Sequence, residues 1–261
     1  MGKKVGVLIL HGVGVQKAGY SDHLQNGIKA KLKTLQVNLT DIEFNEVRYS
    51  DVFDHNQKER SNYLKNTSSA WQQITRGIRK LLIFVLSDAV SYRAQYKKVH
   101  QRISNHIHAL KDQLEPHAPI VIAAHSMGAM AISDYLYDEQ ENKFPELNLA
   151  KISNLKALIS FGCNIPLFEM GHDETVCIKR PESDKVAQQF FWTNFYSPFD
   201  VLGYRISKYY KRRPQPAFDI EDIKIFPGGL FRFWNIGSHT SYWWHDDIHS
   251  LLGKTIKKLT R

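Results

Sequence analysis

Residues 119–128 read PIVIAAHSMG. Its apolar run is typical of a strand buried on both faces of a parallel sheet, and the residues after it predict a helix. Ser126 therefore lies in a strand-to-helix turn with a small residue two positions away on each side, Ala124 and Gly128. That is the context of a nucleophile elbow, although Ala124 stands where glycine is usual. The alternative is a serine that only caps the helix.

Upstream of this stretch, VGVLIL over 5–10 predicts another buried strand, which enters the glycine turn HGVG at 11–14. Alternating strands and helices predict an α/β fold with a mostly parallel central sheet covered by helices on both faces. The length fits a single domain over 1–261, with cap or lid segments over 50–95 and 164–187. Further strands are predicted near 42–47, 155–162, 190–196 and 231–236, and helices over 22–37, 74–85, 92–114 and 248–259.

The chain is basic, with a formal net charge of +9 and a dense cluster at Arg205, Lys208 and 211–213. Such a field favours anionic partners. Because zinc-finger spacing, an RNP-like motif and a long basic tail are all missing, we predict no nucleic-acid partner. An anionic membrane surface stays open, through this cluster and an apolar helix over Leu81–Val85, although burial of that helix in the core explains it better.

Two cysteines, Cys163 and Cys177, are too few for a disulfide framework, and they predict free thiols in a reducing compartment. The first residues lead straight into the strand over 5–10 without the pattern of a signal peptide. The longest apolar run is far too short to span a bilayer. Together these features predict a cytoplasmic protein.

A serine hydroxyl needs a base, an acid that orients the base, and donors for an oxyanion before it acts as a nucleophile. Asp200 follows the strand near 190–196, at the end of the strand where ligands bind in open α/β sheets. His239 lies between the last predicted strand and the closing helix. The order Ser126, Asp200, His239 is the order that this kind of elbow uses. The rivals for the acid are Asp173, Asp184 and Asp219, none of which directly follows an apolar strand.

The oxyanion donors are predicted to be the backbone N–H of Met127 and one from the first glycine turn, with Val13 favoured over Gly12. HGVG can also be read as a tight turn alone. His245 and His249 have a spacing that could hold a metal, but a solvated helix face explains them better. We therefore predict neither a metal nor a cofactor.

Five segments together resemble the lipase- and serine-esterase-like α/β-hydrolases. They are LILHGVGVQ, AAHSMG, LISFGCNIPLF, WTNFYSPFDVLG and GSHTSYW, spread over residues 7–243. The resemblance implies an α/β-hydrolase fold, with Ser126, Asp200 and His239 as nucleophile, acid and base. Ala124 and Cys163-Asn164 depart from the family pattern without removing a catalytic atom.

The resulting hypothesis is a carboxylic-ester hydrolase, acting on a small-molecule or lipid ester through an acyl-enzyme on Ser126. Two alternatives remain open. One is a lipase or phospholipase that works at a membrane surface. The other is a non-catalytic binding or scaffold protein on a hydrolase fold, because fold does not fix function.

Overall fold

The computed structural model describes residues 2–12, 14, 16–53, 90–168, 178–179, 190–210, 218–228 and 236–260. Six strands in this part of the chain form one sheet in the order β2-β1-β3-β4-β5-β6. Every neighbouring pair is parallel. The strands are β1 (Val5–Leu10), β2 (Ile42–Val47), β3 (Ile120–His125), β4 (Leu155–Phe161), β5 (Phe191–Tyr196) and β6 (Ile220–Lys224).

Helices connect the strands, because a parallel pair needs a crossover rather than a tight turn. The α-helices are α1 (Asp22–Thr34), α2 (Tyr96–Lys111), α3 (Met127–Gln140), α4 (Ile165–Phe168), α5 (Ser207–Tyr210), α6 (Ile236–Ser241) and α7 (Asp246–Leu259). Short 3-10 helices span Leu39–Asp41, Ser50–Phe53, Pro145–Leu147 and Tyr242–Trp244.

The sheet has a buried apolar core on each face. Successive side chains of a strand point to opposite faces, so β1 contributes to both cores. Val7 and Ile9 pack with α1 and α7 on one face, whereas Leu8 and Leu10 pack with α2 and α3 on the other. This explains why the inner strands consist of unbroken apolar residues rather than an alternating pattern.

The strand order reverses direction between β1 and β3. The chain first adds β2 on one side of β1 and then returns to add β3 on the other side. In open α/β sheets, the crevice at the carboxyl ends of the strands at such a switch point is where ligands bind. HG at 11–12 and Ser126 follow directly after these two strands, so both lie at this crevice.

The sixth strand of the sheet was not predicted from the sequence, and the strand predicted near 231–236 is described only at Ile236. Ile220–Lys224, with the sequence IEDIK, forms the edge strand β6, whereas Ile236 begins α6. The rest of the predicted strand, residues 231–235, lies outside the described residues. An edge strand is half exposed and tolerates charged side chains, so β6 lacks the apolar run by which its neighbours were predicted.

The other predicted strands are confirmed, and the predicted helices at 22–37, 92–114 and 248–259 correspond to α1, α2 and α7. The predicted helix over 74–85 lies outside the described residues, as do most of the two predicted cap segments. The single domain over 1–261 stays a prediction. Among the described helices, none combines the length and the apolar character that crossing a membrane requires.

Candidate active site

Ser126 lies in a sharp turn between β3 and α3. Its backbone has φ 53° and ψ −123°, in the positive-φ region that residues with a side chain rarely adopt. Gly128 makes this turn possible, because a Cβ there would lie 2.5 Å from the carbonyl oxygen of His11. The serine is fully buried. The turn therefore has the strained geometry that the sequence predicted for an elbow.

His239 joins the serine to an acid. It lies on α6, where its Nδ1–H donates to Oδ2 of Asp200 at 2.8 Å. Because a carboxylate only accepts, Nε2 of the neutral ring is left to accept the hydroxyl hydrogen of Ser126, at an Oγ–Nε2 distance of 2.8 Å. The structure thus brings together the three residues predicted from their order, in a geometry that can move a proton from the serine to the imidazole.

Asp200 lies on the loop after β5 and is almost fully buried. Burial works to raise the pKa of its carboxyl, but His239 and several hydrogen bonds outweigh burial and lower that pKa. Besides His239, the donors include the backbone N–H of Leu202 at 3.0 Å and the hydroxyl of Tyr242. The carboxyl therefore stays ionised and fixes which nitrogen of His239 carries the proton.

Of the predicted oxyanion donors, Met127 begins α3, so its N–H is one of the helix's first four, which have no acceptor within the helix. Gly12 lies against the serine, because a Cβ at this position would be 2.8 Å from Cβ of Ser126 and 3.2 Å from its Oγ. Val13 lies outside the described residues. The N–H of Met127 and the backbone of Gly12 therefore lie beside Ser126, and Gly12 has no side chain that would fill this space.

Two aromatic residues hold the turn that contains Gly12. The ring of His11 stacks on that of Tyr49 with centroids 4.2 Å apart, and the Tyr49 hydroxyl donates to the His11 carbonyl. Nδ1 of His11 donates to the Gly12 carbonyl at 2.6 Å. Burial lowers the pKa of His11 to about 4, so its imidazole is neutral near pH 7.

The sequence reasoning missed Tyr242. Its hydroxyl accepts the backbone N–H of Ser197 at 2.9 Å and donates to the Asp200 carboxylate, so it orders the loop that carries the acid. The signal was present in the sequence, because Tyr242 follows His239 by three residues in HTSY. A residue three positions on lies on the same side of a helical turn.

The rival residues that the structure describes have other positions or other partners. Asp219 precedes β6 and thus lies at the amino edge of the sheet, the edge opposite the serine. Asp173 and Asp184 lie outside the described residues. His245 accepts from the N–H of Asp247 at the start of α7, and His249 bonds to the carbonyl of Trp243. In the described part of the chain, no three His, Cys, Asp or Glu side chains gather as a metal site would require.

The predicted basic cluster is only partly described. Arg205 lies 3.8 Å from the carboxylate of Asp222, while residues 211–213 are outside the described residues. Of the two cysteines, Cys163 is buried and forms no disulfide, and Cys177 is not described.

No protein-family model matches the chain, and no curated protein matches it. Among solved structures, that of YahD with malic acid is 11% identical over 99% of this chain and 96% of that one, with a TM-score of 0.47. A dienelactone hydrolase from Anabaena variabilis is 13% identical over 98% and 87%, with a TM-score of 0.42. A fungal esterase from Rhizomucor miehei is 12% identical over 99% and 76%, with a TM-score of 0.45.

The chain has the α/β-hydrolase fold, as the sequence resemblance implied. This assignment rests on the parallel sheet, the helices on both of its faces and the elbow after β3. The narrower subgroup suggested by the HGVGVQ, HSMG and SHTSYW segments stays a prediction.

Proposed function

We propose that the protein is a serine hydrolase that cleaves a carboxylic ester through an acyl-enzyme on Ser126. One observation carries this proposal. The strained elbow presents a serine whose Oγ lies 2.8 Å from Nε2 of His239, and Nδ1 of the same ring lies 2.8 Å from Asp200. A nucleophile, a base and an orienting acid within hydrogen-bond reach are what nucleophilic catalysis by serine requires.

In the first half of the reaction, Nε2 of His239 takes the hydroxyl proton as Ser126 Oγ attacks the ester carbonyl. Asp200 stabilises the resulting imidazolium without taking its proton. The oxyanion receives hydrogen bonds from the N–H of Met127 and from the turn at 11–14. The imidazolium then protonates the departing alcohol, which leaves the acyl group on the serine.

In the second half, His239 takes a proton from water, and the resulting hydroxide attacks the acyl-enzyme. The tetrahedral intermediate collapses, the acid is released, and the proton returns to Ser126. These steps use protein groups and water, so we propose that they need neither a metal nor a cofactor. The substrate class is a small-molecule or lipid ester, and the cytoplasmic location stays a prediction.

A fluorophosphonate probe, which reacts with activated serines, tests this proposal. We expect the native protein to be labelled, Ser126→Ala to be unlabelled, and His239→Ala to label at least ~100-fold more slowly because the general base is gone. Ser133→Ala is the matched control, since Ser133 is also buried on the elbow side of the sheet in α3. Folded native protein that resists the probe would favour a non-catalytic binding or scaffold protein.

The length of the acyl group can be tested with p-nitrophenyl esters of graded chain length. We expect hydrolysis of at least one ester and its loss in Ser126→Ala. Hydrolysis that survives in Ser126→Ala would contradict the acyl-enzyme on this residue. The chain length with the highest kcat/KM measures the size of the acyl pocket, because only interactions made in the transition state raise this ratio.

A second candidate is a lipase or phospholipase that works at an anionic membrane surface. The observation that favours it is a group of exposed apolar side chains beside the Asp200 loop. Phe199, Val201 and Phe226 are 45%, 64% and 49% exposed, and the two phenylalanine rings lie 6.0 Å apart. Lys224 lies 5.4 Å above the Phe226 ring, so a cation borders the apolar surface. Apolar and basic side chains together suit an anionic lipid interface.

Vesicle sedimentation tests this candidate. We expect the protein to pellet with phosphatidylcholine vesicles that contain phosphatidylserine, and to do so less at high salt because salt screens surface charges. Phe199→Ser/Phe226→Ser should reduce binding about tenfold or more, given the apolar area removed from the interface. The matched control is Val90→Ser, at a site that is 69% exposed. No pelleting at low salt would exclude the membrane candidate and leave the ester hydrolase.

A further inference from the structure

We propose that His125, the residue before Ser126, is a positioning residue that holds the helix carrying His239 in place. The proposal rests on the proposed function, because it concerns the base of that reaction. It is supported by an observation that the proposed function does not use. Nε2 of His125 forms a hydrogen bond of 2.7 Å with the backbone carbonyl of His239. His125 is an elbow residue that the sequence reasoning assigned no role.

The bond compensates for a weakness of a short helix. The helix α6 spans only Ile236–Ser241, and the last four carbonyls of any helix have no partner within it. The carbonyl of His239 is one of these four. A buried carbonyl without a donor is costly, and the side chain of His125 supplies the missing N–H.

The ring of His125 has little freedom to move. It is 5% exposed and stacks near Phe161, with centroids 5.4 Å apart. It also meets the edge of Trp243 at 5.3 Å. Burial lowers the pKa of His125 to about 3, and the neighbouring His239 contributes to this shift. A neutral imidazole carries one N–H, and a ring fixed in this way directs that N–H to the carbonyl of His239.

The arrangement ties the base to the nucleophile through adjacent residues. His125 is the last residue of β3, and the elbow serine follows it directly, so its position is set by the sheet. His239 is joined to the same strand end twice, once by its carbonyl through His125 and once by Nε2 through Ser126. Removing the first bond should let α6 shift, and a shift of about 1 Å in a reacting group can reduce the rate about 100-fold.

Isosteric substitutions separate this role from simple packing. His125→Gln can keep an N–H donor near the position of Nε2, whereas His125→Met has a similar length and shape but no donor. A second donorless variant, His125→Phe, keeps a flat ring in case the methionine variant does not fold. If the N–H donor matters, the glutamine variant keeps a higher kcat than the other two variants. If only packing matters, the glutamine variant is impaired as much as they are.

The kinetic test uses the p-nitrophenyl ester that the native protein hydrolyses best. We expect His125→Met and His125→Phe to lower kcat about 10- to 100-fold while KM changes less than about twofold, because a misplaced base affects the transition state and leaves substrate binding intact. His125→Gln should recover to within about threefold of the native kcat. Equal kcat values in the three variants would overturn the proposal.

A matched control is available in the closing helix. His249 is also buried, and its Nε2 bonds to the backbone carbonyl of Trp243 at 2.9 Å. This bond does not involve the carbonyl of His239, although the ring of Trp243 also packs against His125. We expect His249→Met to lower stability and to leave kcat per folded molecule unchanged. A loss of kcat equal to that of His125→Met would mean that any disturbance of this end of the chain impairs the site, which would also overturn the proposal.

Proton NMR gives a readout that does not depend on ester hydrolysis. The hydrogen on Nδ1 of His239, shared with Asp200, should resonate at low field and disappear in Asp200→Asn. We expect the signal to persist in His125→Gln and to broaden or vanish in His125→Met. If this pattern appears in a protein without esterase activity, the proposed function fails and the positioning role stands. An unchanged signal in His125→Met would remove the positioning role alone.

Discussion

Two regions of the molecule bury a histidine beside an aspartate. At the carboxyl edge of the sheet, His239 and Asp200 are joined at 2.8 Å. Between α2 and α3, His100 and Asp138 lie 3.4 Å apart and are equally buried. Buried ionisable pairs of this kind are often read as signs of an active site, so their surroundings decide what each pair can do.

The surroundings differ in what the second ring nitrogen meets. Nε2 of His239 faces the hydroxyl of Ser126 at 2.8 Å, in the turn from which α3 begins. Nε2 of His100 lies 3.3 Å from the hydroxyl of Tyr92, which already donates to Asp134 at 2.8 Å. No strained turn presents this tyrosine, which is fully buried between helices.

A buried histidine–aspartate pair is therefore not by itself a reactive site, because the partner of the second ring nitrogen decides what the pair can do. The pair at the sheet edge contacts Ser126, which we propose as the nucleophile, next to Met127, which we propose as an oxyanion donor. A developing charge could be stabilised there. The pair between the helices only connects two packed elements. We therefore expect substitutions in the first pair to change activity, and substitutions in the second to change stability.

The largest expected effect separates the two aspartates. Asp200→Asn should lower kcat about 10³- to 10⁴-fold, because an amide no longer fixes the tautomer of His239 or stabilises its charge. Asp138→Asn should leave kcat of the folded protein within about twofold, while removing a charge that Lys143 approaches to 3.1 Å. Ester hydrolysis and thermal unfolding measure both effects. A comparable loss of kcat in the two variants would contradict the comparison.

A smaller effect separates two buried tyrosines. Tyr242→Phe removes a donor to Asp200 and the acceptor for the N–H of Ser197, so kcat should fall about tenfold through a displaced acid. Tyr92→Phe removes the bond to Asp134 and should lower stability with kcat unchanged. Steady-state kinetics measures kcat of both variants, and urea unfolding measures their stability. Equal kcat values would show that Tyr242 only packs.

A third effect concerns stability as a function of pH and leaves activity unchanged. Burial, aided by the positive charge of Lys143, lowers the pKa of His100 to about 3, from about 6.5 in an unfolded chain. Between these two pH values the unfolded chain binds a proton that the folded chain does not, so the free energy of unfolding falls as pH falls. The contribution of neutral His100 to the free energy of unfolding is fully present above about pH 6.5 and is lost as the pH falls toward about 3.

His100→Gln should therefore flatten this dependence. Between pH 4 and 6, we expect the slope of the free energy of unfolding against pH to be smaller in the variant than in the native protein. The difference should be up to about 1.4 kcal/mol per pH unit, and kcat should be unaffected. His11 and His125, whose pKa values are lowered to about 4 and about 3, remain in the variant and keep part of the slope. Urea unfolding at several pH values provides the measurement. An unchanged slope would mean that His100 is protonated in the folded state.

Much of the fold could be predicted because its signals are local. The apolar runs over 5–10, 120–124 and 155–161 indicated inner strands of a parallel sheet, since only strands covered on both faces exclude polar residues so completely. The edge strand Ile220–Lys224 has no such run, and burial of the neighbouring strands says nothing about it. Its position depends on pairing with β5, which lies about 25 residues upstream.

In the candidate active site, too, the residues with a local signal were predictable and those that depend on distant partners were not. Ser126 was predictable from its own turn, and Asp200 and His239 from their order after later strands. Tyr242 was not assigned a role, because a tyrosine near a histidine is common and its use depends on where Asp200 lies. No role could be predicted for His125, because its partner is a backbone carbonyl and every residue has one.

The strand–turn–helix at residues 119–128 and the burial of the inner strands on both faces could be read from the sequence alone. So could a serine, an aspartate and a histidine in the chain order Ser126, Asp200, His239. The tertiary structure was needed to show which nitrogen meets which oxygen, and that Tyr242 contacts Asp200 and His125 contacts His239. It was also needed to show that the His100–Asp138 pair lies beside Tyr92 rather than Ser126. The reason is physical. Periodicity reports how each segment meets solvent or core, whereas a hydrogen bond of 2.8 Å between residues more than one hundred positions apart depends on how all segments pack together.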